Sequence, residues 1–176
     1  MKLFGLAGWS GAGKTTLVVR LLPALAARGL AVSTMKHAHH SFDIDQPGKD
    51  SHRHRAARAA EVMIASSQRW ALMHEHGGAP EPTAADLAAR MAPVDLVLVE
   101  GFKREPHPKL EVYRVANGKP LLHPGDPHIV AVASDRPLPG IGLPVLSLDD
   151  VEAIADFIVG HCGLAGRTPR PAVPGA

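Results

Sequence analysis

The chain has 176 residues, enough for one domain, and 45% of them are hydrophobic with only 4% aromatic, so an aliphatic core is expected. A formal net charge of +2 gives no ground for a nucleic-acid partner, and the single cysteine, Cys162, excludes an intrachain disulfide and a thiolate metal site built by one chain. No apolar stretch approaches the roughly eighteen residues of a membrane span, the run before the first motif is too short for a signal peptide, and the lone cysteine suits a cytoplasmic location.

Leu3 to Ala7 is an apolar run of strand length. It leads into Gly8-Trp9-Ser10-Gly11-Ala12-Gly13-Lys14-Thr15, which matches the phosphate-binding pattern G-x-x-x-x-G-K-[ST]. Glycines let consecutive N–H groups converge on one anion. The Lys14 ammonium is expected to reach the outer phosphates and the Thr15 hydroxyl to ligate Mg²⁺. Leu17, Leu21 and Leu25 then recur at helical spacing, with Pro23 predicting a kink and Gly29 a stop. The order strand, loop, helix is the one that places a helix dipole beneath the phosphates.

Leu30 to Met35 reads as a parallel strand. Phe42-Asp43-Ile44-Asp45 alternates apolar and acidic residues, so an extended backbone puts both carboxylates on one face, with Asp45 a candidate Mg²⁺ ligand. Gln46-Pro47-Gly48 is a turn, and Asp50 or Ser51 caps a helix running to about Ala60. Short strands are expected over Val62 to Ala65 and Trp70 to Met73, and a helix capped by Thr83 runs through Met91. Strands over 94–99, 109–115 and 129–133 and a short edge strand at 144–146 follow, then a helix capped by Asp149 with Val151, Ile154, Ala155 and Ile158 on one face. Strands alternating with helices predict an α/β fold: a phosphate-loop NTPase type of mostly parallel sheet flanked by helices, with some antiparallel strands. Residues 1–165 are read as one nucleotide-binding domain and 166–176 as a disordered tail.

A phosphate-loop site needs a second acid for Mg²⁺ and water. Asp95 and Glu100 bracket the strand Leu96 to Val99 and stand roughly 16 Å apart at ~3.3 Å per residue, so only one is at the ligand end. Ligands sit beyond the carboxyl ends of parallel strands, which selects Glu100 and leaves Asp95 at strand entry. Gly101 permits the following turn and offers an N–H to a terminal phosphate. Asp135 ends another strand: it either reads the guanine edge or simply shapes a turn before Pro137. Ser51, Arg55 and Arg58 share a helix face that grips a second anion or is merely solvated. His37 and His39 share a face only if extended, and His52 and His54 diverge on a helix, so a transition-metal site is weakly supported. No arginine lies within or just after the loop, so slow hydrolysis is expected.

Trp9 to Thr16, Lys36-His37, Asp43-Ile44-Asp45-Gln46-Pro47-Gly48-Lys49-Asp50-Ser51, Ser67 to Met73, Val99-Glu100-Gly101-Phe102-Lys103 and Ala131 to Asp135 occur in this order. The pattern resembles the MobB family of molybdopterin-guanine dinucleotide biosynthesis adaptors over roughly residues 1–162. The resemblance implies a GTP- and Mg²⁺-binding homodimer with weak GTPase activity. Such a protein assists a separate guanylyltransferase of the MobA type, with molybdopterin as a further ligand. It also implies that Gly11 to Thr16 bind phosphates, that Glu100 serves Mg²⁺ or water, and that Asp45, Lys49, Asp50 and Ser51 line a neighbouring loop. One departure stands out: the family pattern has glycine where this chain has Arg58. Three other readings fit the residues: a small-molecule kinase using Arg55 and Arg58, a metallochaperone GTPase, and a nucleotide-binding scaffold without turnover.

Overall fold

The computed structural model describes residues 1–38 and 42–166. In chain order the elements are β1 Lys2–Ala7, α1 Lys14–Ala27, β2 Val32–Lys36, α2 Asp50–Ala56, β3 Glu61–Ala65, β4 Trp70–His74, α3 Ala84–Ala88, β5 Leu96–Glu100, β6 Lys109–Tyr113, β7 Ile129–Ser134, β8 Val145–Ser147 and α4 Val151–His161. They fall into two compact units: one is Met1–His37 with the chain from Ala84 onward, the other Ala38–Thr83.

The first unit holds a six-stranded sheet of order β2-β5-β1-β6-β7-β8, parallel at every pairing. Strand alternation sorts its side chains into two cores. Phe4, Leu6, Leu96, Leu98, Leu110, Val112, Ala131 and Ala133 pack against the buried stripes of α1 and α4. Val97, Val99 and Met35 pack on the other face against Ala84 and Ala88 of α3. The stripe Leu17, Leu21, Leu25 is buried as its spacing predicts, and α1 continues through Pro23. Parallel order puts all six strand ends on one rim, where ligands of such sheets bind.

Several boundaries differ from the sequence reading. Asp150, not Asp149, caps α4: its carboxylate accepts from the Ala153 N–H. The strand expected over 109–115 stops at Tyr113, and a 3₁₀ turn occupies Val115–Asn117. α3 ends at Ala88 rather than Met91 and decays into turns whose bonds skip back three residues, Arg90 to Leu87 and Met91 to Ala88.

The second unit contains α2 and an antiparallel hairpin of β3 and β4. Val62 and Met73 pair across it and are buried. Residues 42–45 form no strand: the Asp43 carboxylate accepts from the Asp45 N–H, an aspartate turn that competes with extension. α2 has Lys49 at its N-cap and stops at Ala56, four residues short of expectation, because Arg58 turns into the left-handed region with φ 70°. The tail beyond 166 falls outside the described residues.

Candidate functional site

The glycine-rich loop between β1 and α1 is shaped by its glycines at the positions where nothing else fits. A Cβ on Gly8 would meet the Val112 carbonyl at 2.5 Å, so the loop passes tightly over β6. Gly13, with φ 96°, is the N-cap of α1 and gives no side-chain cap, which leaves the first-turn N–H groups directed out of the helix end. Trp9, Ser10, Gly11 and Ala12 complete the curl, and the Trp9 carbonyl accepts from the Ala12 N–H at 3.2 Å. Lys14 reaches back along the loop, its Nζ donating to the carbonyls of Gly8 and Trp9, each at 3.0 Å. Burial holds its pKa below the ordinary lysine value, the Lys103 charge adds to that, and Glu100 opposes it. Thr16 follows within the exposed first turn of α1.

Glu100 stands at the carboxyl end of β5, as the strand argument requires. The Thr15 hydroxyl donates to its two oxygens at 2.8 and 3.1 Å. Sheet register explains a third partner: Lys36 lies opposite Glu100 across β2 and β5, and Lys36 Nζ is 3.8 Å from Oε1. Asp95, at the other end of the strand, accepts from the Ala31 N–H at 2.9 Å and serves the fold. Gly101 has φ 96°, and a Cβ there would meet His37 Cβ at 2.7 Å. Phe102 follows at φ 47°, buried, with its ring 4.7 Å from that of His37. Two successive positive-φ residues, one of them not glycine, mark a turn whose shape is imposed by its surroundings.

Asp135 sits beyond β7, where it accepts from the Val115 N–H at 3.2 Å. It also lines a cavity of about 570 Å³ with Pro137, Leu138, Val145 and Leu146. Its turn-building contact is therefore present beside a concavity with apolar walls.

The fold adds residues to the loop that the sequence reading passed over. Arg114 Nε donates to the Ala12 carbonyl at 3.2 Å, Asn117 Nδ2 to Ser10 at 3.4 Å, and the Trp9 indole to Pro120 at 2.8 Å. Lys103 Nζ lies 5.4 Å from the centroid of the Trp9 ring, a cation–π contact. The strand-end rule that selected Glu100 also points to Arg114, one residue past β6. Extending that strand to Val115 hid it. An arginine does stand at the loop, supplied from a hundred residues downstream.

The remaining site residues belong to the second unit. Asp45 Oδ1 accepts from the Ser51 hydroxyl at 2.7 Å and from the Gln46 N–H at 3.0 Å. Lys49 and Asp50 start α2, with Asp50 3.8 Å from Arg53. Arg55 is hydrogen-bonded to Asp43 and lies 3.7 Å from Glu75. The hydrogen bond from Arg55 is the leading cause that holds the Asp43 carboxyl below the usual carboxylate range. The expected face of Ser51, Arg55 and Arg58 does not form: Arg58 is off the helix, and the Arg55 guanidinium is already matched by two carboxylates. Of these residues, Asp43, Arg55 and Glu75 border a cavity of about 610 Å³ that Phe42, Leu72 and His76 also line. His39 of the expected histidine pair lies outside the described residues.

A family model described as MobB, molybdopterin guanine dinucleotide synthesis protein B, matches residues 3–135. The chain is 48% identical over 160 residues to the molybdopterin-guanine dinucleotide biosynthesis adapter protein of Escherichia coli (strain K12), across 89% of this chain and 91% of that protein. It is 43% identical over 159 residues to the protein of the same description from Haemophilus influenzae, across 89% and 86% of the two chains. Among solved structures, a crystal structure of molybdopterin-guanine biosynthesis protein B superposes with a TM-score of 0.72 at 28% identity, over 90% of this chain and 99% of that one.

Proposed function

Because the chain belongs to the MobB family, we propose that it is an adaptor in molybdopterin-guanine dinucleotide biosynthesis and works by holding GTP with Mg²⁺. The observation that carries this reading is the convergence of Lys14, Thr15 and Glu100 at the head of α1. Thr15 and Glu100 offer hard oxygen donors within hydrogen-bond distance of each other, a set that suits Mg²⁺. Mg²⁺ would supply charge neutralisation between phosphates. The N–H groups of Gly11 to Thr16 take the phosphates, Lys14 the outer ones, and Gly101 adds an N–H at the end of β5. Asp135 and the cavity beside it are assigned to the guanine base. Residues 1–165 act as one nucleotide-binding domain, with Asp45, Lys49, Asp50, Ser51 and Arg55 in the segment assigned to molybdopterin.

The partner in this reading is a guanylyltransferase of the MobA type, which attaches GMP to molybdopterin in the cytoplasm. Turnover of GTP by the adaptor itself is weak. Self-association as a homodimer belongs to the same reading; Met63, Leu72 and Trp70 project from one face of the β3–β4 hairpin and are exposed. No helix among the described residues is long and apolar enough to cross a membrane. The kinase and metallochaperone readings have no comparable support from relatives of this chain.

The test combines binding with reconstitution. Lys14→Ala removes a charge-assisted phosphate contact while adding little strain to the core. Calorimetry should show GTP affinity reduced by about ten- to a hundredfold, with an unchanged melting temperature. In a mixture of guanylyltransferase, molybdopterin and GTP, the wild type should raise the yield of the dinucleotide cofactor and Lys14→Ala should not. A wild type without effect across a range of GTP concentrations overturns the adaptor reading.

A further inference from the structure

The segment from Arg114 to Pro120 grips the phosphate loop at three points, through Ala12, Ser10 and Trp9. Arg114 differs from the other two contacts in carrying charge. Arg28 pairs with Glu152 and Asp156, Arg55 with Asp43 and Glu75, and Lys109 with Asp126. Arg114 has no carboxylate within ion-pairing reach among the described residues. Its acceptor is a peptide carbonyl at 3.2 Å, the long end of the N–H···O range. Its guanidinium lies over Gly13, where a Cβ would meet Nε at 3.3 Å and Nη2 at 3.5 Å. Gly13 is the N-cap of α1, so an unpaired, half-buried cation stands beside the helix end that receives phosphate.

We propose that Arg114 reads the terminal phosphate: its guanidinium exchanges the Ala12 carbonyl for an oxygen of a nucleoside triphosphate, and so the site favours triphosphate over diphosphate. The assignment rests on the phosphate-loop reading above. A charged oxygen is the stronger acceptor and can take two N–H groups of the fork at once. Only the side chain has to move, because β6 fixes the backbone at Tyr113, which pairs with Ser134 of β7. Glycine at position 13 leaves the room for that motion, since any Cβ there would crowd the guanidinium.

The experiment is calorimetric titration of the full chain, R114A and R114K with Mg²⁺ and either guanosine 5′-(β,γ-imido)triphosphate or GDP. R114A should lose about ten- to a hundredfold in triphosphate affinity and keep GDP affinity within about threefold, with R114K between. Equal losses for both nucleotides, or none, overturn the assignment and leave Arg114 as a support for the loop. A wild type that binds neither nucleotide overturns the phosphate-loop reading and this one with it. Should R114A melt early, R114Q and R114K decide the matter, since both keep most of the stem. A triphosphate preference lost in R114Q and partly kept in R114K supports the proposal, and an unchanged preference in both sinks it.

Discussion

Arg58 follows the C-cap of α2 at φ 70°, in the place where helices most often end on glycine. A Cβ in the left-handed region costs about 1 kcal/mol, and glycine removes that cost while losing a little through unfolded-chain entropy. Arg58→Gly is therefore expected to stabilise the protein, raising the melting temperature by roughly 2–4 °C in differential scanning calorimetry. No change, or a decrease, would mean that the Arg58 side chain contributes more than its backbone costs. The glycine in the family pattern was legible in the sequence as a departure. Its meaning was not, because the helix was expected to run on to Ala60 and so to include position 58.

His107 presents a second residue-scale test. It is buried, neither ring nitrogen has a hydrogen-bond partner, and a Cβ on Gly5 would meet its Nε2 at 2.6 Å. Burial, helped by the Lys109 charge, pushes its pKa down to about 4 from 6.5. The folded state therefore binds fewer protons than the unfolded state between those values, and stability falls as pH falls from about 6.5 to about 4. Denaturant midpoints measured across that window should show the slope. His107→Leu, of similar bulk and without a titrating group, should flatten it; an unaltered slope would place the acid sensitivity elsewhere.

At the scale of elements, β6 carries two charged residues with no exposed surface, Lys109 and Glu111. Each is there for a loop. Lys109 pairs with Asp126 at 2.9 Å. Glu111 accepts from the N–H groups of Leu122 and His123 at 2.7 and 3.0 Å, closing the excursion that carries Arg114, Asn117 and Pro120. Glu111→Gln keeps the shape but turns an amide N–H₂ toward one of those donors. Losing a charged acceptor of this kind costs about 1.5–3 kcal/mol. Hydrogen exchange should quicken at Leu122 and His123 first, and unchanged protection there would show that the loop holds itself. Alternation alone could not reveal this strand's role, since Lys109 and Glu111 read as a solvent face.

Across the whole molecule, what the sequence disclosed follows from how local each signal is. The glycine-rich turn after β1, the helix stripe Leu17, Leu21, Leu25 and the apolar strand ending in Glu100 are written in consecutive residues, and the helix and strand appear where expected. The parallel sheet with its antiparallel hairpin was legible from the alternation of elements. Arg114, Asn117 and Pro120 act on residues a hundred positions upstream, and only the sheet order brings them to the loop. The fate of Arg55 was hidden for a similar reason. Helical spacing says which face it occupies, but its pairing with Glu75 comes from the hairpin returning past α2.

The sheet order has a consequence for how the molecule is made. β1 lies in the middle of the sheet, and both of its neighbours come about ninety to a hundred residues later in the chain. During synthesis its apolar side chains wait, unpaired, until β5 and β6 have left the ribosome. Long-range parallel pairings of this kind assemble slowly and leave sticky intermediates. The Val112 carbonyl of β6 stands close against Gly8, so the loop at the end of β1 has its native packing only once β6 has joined the sheet. A nascent chain stalled before β6 would leave one edge of β1 unpaired and so be a client for chaperones.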